Sequence, residues 1–166
     1  MSNMYNGFNP NPHLFDVNIP MGYQNYPGPV IILKDHGPKP IVFNMTEATR
    51  QNNNFRLAFW TGRHFQITLM SIPVGQDIGL ELHQHVDQFL RIEEGQGLVQ
   101  IGDRKDRLDC QIRVHDGYAL VIPAGKWHNV LNIGCTPLKL YSIYAPPEHP
   151  QSTVHATKHE AEEHHG

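Results

Sequence analysis

Residues 55–147 of this sequence predict an all-β protein, and three observations carry the prediction. Short apolar runs rich in Val, Ile, Leu, Phe and Tyr recur there, at roughly the 8–12-residue spacing of a sandwich or barrel. Turn-forming Gly, Pro, Asn and Asp punctuate the gaps between them. No stretch among them keeps apolar residues at helical period for the length of a core-building helix. With 166 residues, 39% hydrophobic and 17% charged, the chain is long enough to bury one core without disulfides.

Residues 1–54 read as an irregular N-terminal arm. Its first 29 residues hold six Asn, five Pro, three Gly and three Tyr with a single charge, Asp16. Proline removes backbone donors and Asn and Gly favour turns, so regular structure is not expected there. Phe8, Leu14, Phe15, Val17, Ile19, Tyr23 and Tyr26 nonetheless give the arm something to bury. It is expected to lie over the domain or over a partner subunit. Residues 30–33 and 41–43 read as short strands, and 46–51 as one helical turn. The strand candidates of the barrel are 55–60, 64–72, 78–85, 88–92, 98–101, 108–114, 118–122, 127–131 and 138–144. Residues 148–166 read as a solvated His/Glu-rich tail. Within it, Thr157 followed by Glu160 fits a capping box, so a short C-terminal helix is expected.

Thirteen Lys+Arg against sixteen Asp+Glu leave a net charge of −3, and that excess sits in the tail. Without a basic stripe, nucleic acid is excluded as a partner. No apolar run reaches the length of a membrane span, and the N-terminus has no signal-peptide pattern. Two cysteines are too few for a secreted disulfide framework, so a cytoplasmic location is expected. Cys110 reads as a small buried hydrophobe.

Chemistry concentrates in two stretches. The first runs from Gly79 through Glu81, His83, His85, Asp87 and Gln88 to Gly95. In an extended strand, positions i and i+2 share a face, so His83 and His85 converge, and so does Glu81. Two imidazoles held this way are half of a first-row metal site. The second stretch is Gly117-x5-Pro123-x-Gly125-x2-His128-x3-Asn132. It is an apolar strand, a Pro-x-Gly turn, and a histidine opening the next strand.

Together these stretches resemble the cupin family. The second family motif, G-x5-P-x-G-x2-H-x3-N, is matched at every position, and the first, G-x5-H-x-H-x3,4-E-x6-G, in part. The resemblance implies a double-stranded jelly-roll barrel with a metal inside its wider mouth, held by His83, His85 and His128. The family's fourth ligand, a glutamate seven residues before the closing glycine, falls on Gln88, so the pattern departs there. Three His and a neutral Gln would leave +2 on a divalent ion, favour Fe, Zn, Ni or Cu over Mn or Mg, and attract an anionic substrate. Cupins without an acidic ligand include thiol dioxygenases. The expected function is therefore a metal-dependent enzyme on a small metabolite, with dioxygenase-like or sugar-isomerase-like chemistry. Glu81, Tyr141 and Tyr144 are the candidates for acid–base work. A ligand-binding sensor, or a stress-associated assembly protein using the arm, are the alternatives. A homodimer is expected, because Phe89 faces outward and open sheets expose edges. The remaining tail histidines, His149, His155, His159, His164 and His165, read as solvated, and His64 and His115 as structural or exposed.

Overall fold

The computed structural model describes residues 30–164; the apolar arm residues between 8 and 26 lie outside them. Along the chain run α1 (Met45–Gln51), β1 (Arg56–Thr61), β2 (Gln66–Ile72), β3 (Asp87–Glu94), β4 (Gln96–Gly102) and β5 (Cys110–His115). There follow β6 (Ala119–Ile122), β7 (Trp127–Asn132), β8 (Leu138–Ala145), β9 (Val154–His155) and α2 (Lys158–Glu163). A six-stranded sheet of order β6-β3-β8-β2-β1-β9 faces a three-stranded sheet of order β5-β4-β7. The result is an antiparallel jelly roll. Met70, Ile72, Leu90, Ile92 and Leu140 of the larger sheet meet Val99, Val114 and Val130 of the smaller in one apolar core. At 95 the chain needs glycine twice over: φ is +97°, and a Cβ would sit 3.1 Å from the Leu138 Cα.

The candidate at 78–85 does not form a strand. Only isolated bridges, Asp77 to Leu131 and Glu81 to His128, join this segment to β7. Gly79 takes φ +92°, outside the β region, and the backbone bends at residues 84 and 85. Two-residue alternation therefore fails across it. On β3, Glu93 shares the outer face with Arg91 but is buried there against α1. The buried Glu93 carboxylate accepts from Thr46 Oγ1 and Arg91 Nη1, both at 3.1 Å.

Segments 30–33 and 41–43 also belong to no strand. They act through side chains instead. Together with Ala48 of α1, Ile31, Leu33, Ile41, Phe43 and Met45 pack on Leu57, Phe59 and Leu69 of the large sheet. α1 begins at Met45, one residue before the expected 46–51 turn, and Asn44 caps it, accepting from the Glu47 N–H at 3.0 Å.

The C-terminal segment is packed, which corrects the reading of a solvated tail. β9 pairs with β1, α2 buries Ala161 in the main core, and His149 and His155 are buried. The Gln66 side chain imitates a strand partner: its Nε2 donates to the His149 carbonyl at 2.9 Å and its Oε1 accepts from the His149 N–H at 3.0 Å. The helix is capped as expected, Thr157 Oγ1 accepting from Glu160 N–H at 3.3 Å. Composition hid this packing, because backbone pairing and one small residue do the holding. Cys110 and Cys135 are both free and exposed. Cys110 begins β5, an edge strand with mostly exposed side chains, so its expected burial is also corrected.

Candidate metal centre

One end of the barrel interior is polar. Gln66 and Thr68 on β2, Gln88 on β3 and Ser142 and Tyr144 on β8 are all buried. They are cross-strand neighbours: Gln66 and Gln88 both oppose Tyr144, and Thr68 opposes Ser142. Against this floor stand Glu81, His83 and His128, each offering a ligand atom within 4.8 Å of the others.

Backbone pairing builds the group. Glu81 and His128 exchange N–H···O bonds of 3.0 Å in both directions, which sets their side chains next to each other. The turn after β6 reaches across, with Gly125, at φ +83°, donating its N–H to the His83 carbonyl at 2.8 Å. Asp87 fastens the same turn by accepting from Ala124 N–H at 2.9 Å. The two motif segments are thus bonded to each other around the site.

Each imidazole has its Nδ1 occupied from outside. His128 Nδ1 lies 3.0 Å from the Lys126 carbonyl, and His83 Nδ1 lies 3.2 Å from Glu148 Oε1. That arrangement leaves Nε2 of both rings for the centre, as in metal-bound histidines. His83 Nε2, His128 Nε2 and Gln88 Oε1 are buried without hydrogen-bond partners, as are Arg56 Nε, Thr68 Oγ1 and the Tyr144 hydroxyl. His83 Nε2 does approach Glu81 Oε2, at 3.4 Å. Leaving a buried polar group unsatisfied costs about 1–3 kcal/mol, and net stability is only about 5–15 kcal/mol. A cluster of such atoms at one end of a core calls for a ligand. The donor set, two imidazole nitrogens and a carboxylate, fits a divalent transition metal.

Electrostatics acts on the two histidines in opposite directions. Burial raises the Glu81 carboxyl, but hydrogen bonding to His83 and the charges of Arg56, His83 and His128 outweigh it and hold Glu81 low and ionised. Burial lowers His128, which favours the neutral, ligating form. For His83 burial pulls downward, yet Glu81 and Glu148 prevail and the ring is raised. Burial, and then the Glu81 charge, push the Tyr144 phenol up to about 12, so it stays a proton donor.

Residues 68–144 match the family model for the Cupin domain. The chain is 63% identical over 131 residues to the YrkC protein of Bacillus subtilis, covering 79% of this chain and 70% of that one. The chain belongs to the cupin family. A crystal structure from Bacillus halodurans, BH2720, superposes with a TM-score of 0.78 at 62% identity, over 78% of this chain and 98% of that one. Protein L612 of Acanthamoeba polyphaga mimivirus is 39% identical over 114 residues, 68% of this chain and 69% of its own length.

Within this cupin, the sequence-derived candidates separate. Glu81, His83 and His128 come together, and Gln88 lies in the polar floor, its Nε2 donating to Ser142 Oγ at 2.8 Å. His85 is exposed at the bend and is not in the group. Tyr144 is fully buried, its ring edge-on to His83 at 5.6 Å. Tyr141 packs on the opposite face, with the outer apolar cluster. Glu148 and Arg56 carry no motif signal: Glu148 falls in the 148–166 segment and Arg56 in the strand candidate 55–60. A spacing signal for Glu81 was present. Counting back from Gly95 gives Gly75-x5-Glu81-x-His83-x4-Gln88-x6-Gly95, every interval of the first cupin motif. Glu81 then stands where the first histidine would be and His83 where the second would be.

Proposed function

We propose that this cupin is a metal-dependent enzyme acting on a small metabolite, with the ion held by Glu81, His83 and His128 and with Gln88 Oε1 as a fourth donor. The observation that carries the proposal is the convergence of Glu81, His83 and His128, with both histidines anchored through Nδ1 and their Nε2 atoms turned to the group. Two histidines and one carboxylate with open positions favour iron-dependent oxygen chemistry over isomerisation. Such an ion, when bound, supplies a site where dioxygen and substrate meet. Relative to three histidines and a glutamine, the set carries a permuted charge: the carboxylate sits at 81 and the amide at 88, leaving +1 on a divalent ion. Tyr144 holds its proton at the edge of the group, ready to donate a hydrogen bond to bound substrate.

Untagged protein titrated with Fe(II), Zn(II), Ni(II) and Cu(II) is expected to bind one ion per chain. Failure to bind any of them sinks the reading.

The protein works as a homodimer in this proposal. Across the outer sheet face Val121, Phe89, Ile143 and Ile67 form one cross-strand row. Val121 is 74% exposed. Sedimentation of the full chain against Val121→Glu tests it, with a monomeric mass for the unmodified chain as the contrary result. A reducing compartment suits the two exposed thiols, and no helix of the described residues is long and apolar enough to cross a membrane.

A further inference from the structure

We propose that Arg56 is an oxyanion-binding residue, and that the cleft it lines takes the carboxylate of a small organic acid beside Glu81. Arg56 opens β1, opposite Met70 of the main core, and is 3% exposed. Its Nε has no hydrogen-bond partner, and its Cζ lies 5.6 Å from the Phe55 ring centroid. The Glu81 charge acts on Arg56, but the buried Nε donor itself is unpaired, which costs folding free energy unless a ligand meets it.

The cleft has a volume of about 340 Å³, with Ile78 and Leu80 among its apolar walls and Glu81, Lys158 and Glu162 as its other charged residues. Each of those three is engaged elsewhere. Lys158 pairs with Asp77 and lies 3.7 Å from Glu162, and Glu81 contacts His83. The Arg56 Nε is left to meet whatever enters. Its planar fork suits a carboxylate bidentately, and the volume suits a metabolite-sized molecule. Glu81 lines the same cleft, so an acid held on Arg56 would lie alongside the metal group.

This inference rests on the proposed metal function only for what happens beside the anion; the anion site itself needs no ion. The test titrates the full-length protein, zinc-loaded and chelator-stripped, with glycolate, glycolamide and inorganic phosphate. The original chain is compared with Arg56→Gln and Arg56→Lys. Glycolate is expected to bind the original chain in both metal states and to weaken at least tenfold in Arg56→Gln. Arg56→Lys should fall between the two, and glycolamide should not bind. Equal glycolate affinity in the original chain and Arg56→Gln overturns the proposal; so does glycolamide binding as well as glycolate, or phosphate binding more tightly. Should the variants fail to fold, the original chain still decides, since glycolate but not glycolamide must raise its melting temperature. Arg56-dependent glycolate binding in a protein that takes no metal would sink the metal reading and leave this one standing. The reverse pattern would do the opposite.

Discussion

The two motif segments of this cupin build one site by different means. Residues 117–132 are strand, turn and strand, and their histidine lies where a strand period places it. Residues 75–95 approach the site as an irregular stretch that pairs only at Asp77 and Glu81 before β3 begins. In the first case sequence spacing translates directly into geometry. In the second it does not, because Gly79 and the bend at 84–85 interrupt the extended backbone on which two-residue alternation depends. A His-x-His pair is a metal signal only while its backbone is a strand. Here the x–His step crosses a bend, and the carboxylate two residues upstream takes the inward place.

The sharpest way to break this comparison is to exchange partners within the first segment. Glu81→Ala, His83→Ala and His128→Ala should each weaken metal binding by more than about a hundredfold, beyond the ~10–100-fold lost with an outer partner. His85→Ala should leave it within about twofold. Calorimetric titration of the four variants checks this. A large loss in His85→Ala with none in Glu81→Ala would restore the strand-parity reading.

Next in size is Glu148, which reaches His83 Nδ1 from the segment that follows β8. Glu148→Ala should cost about tenfold in metal affinity through loss of the carboxylate that orients the ring. Melting temperature should barely change, since the Gln66–His149 pairing still anchors the chain. Comparable in size and opposite in sign is Gln88→Glu, expected to tighten metal binding about tenfold by neutralising the charge that remains. Competition with a chelator resolves both. Unchanged affinity in Gln88→Glu would mean that this side chain serves only Ser142.

The smallest effect sharpens the comparison from the stability side. Asp77 bridges the irregular segment to β7 through Asn129 Nδ2 at 2.8 Å and to α2 through Lys158. Partial burial raises its carboxyl, but hydrogen bonding to Lys158 and Asn129 outweighs it and holds the folded-state value below the ordinary one. A carboxyl depressed by folding adds stability that is present above its unfolded value, about pH 4, and is lost as pH falls through the folded value. Asp77→Asn should therefore cost about 1 kcal/mol at pH 7, and the difference should vanish in strong acid. Urea melts across pH 2–7 measure it, and a pH-independent gap would refute the assignment.

The sequence by itself determined the jelly roll, the complete second motif, His128, His83 and the cap of the last helix. The all-β class and the cap follow from local period and turn chemistry. The jelly roll and the placing of His83 and His128 as ligands rest on the resemblance to the cupin family that the motif spacing carries. Counting back from Gly95 would have put Glu81 in the ligand frame as well. Only the tertiary structure decided that His85 faces out, that Tyr144 rather than Tyr141 borders the site, and that a polar tail folds back to put Glu148 against His83. It alone brought Arg56 into the cleft beside Glu81. Each of these depends on where the chain bends and on contacts between residues far apart in sequence. Residues 83 and 148 meet because Gln66 holds the backbone of 149, and no pattern within either segment encodes that distance.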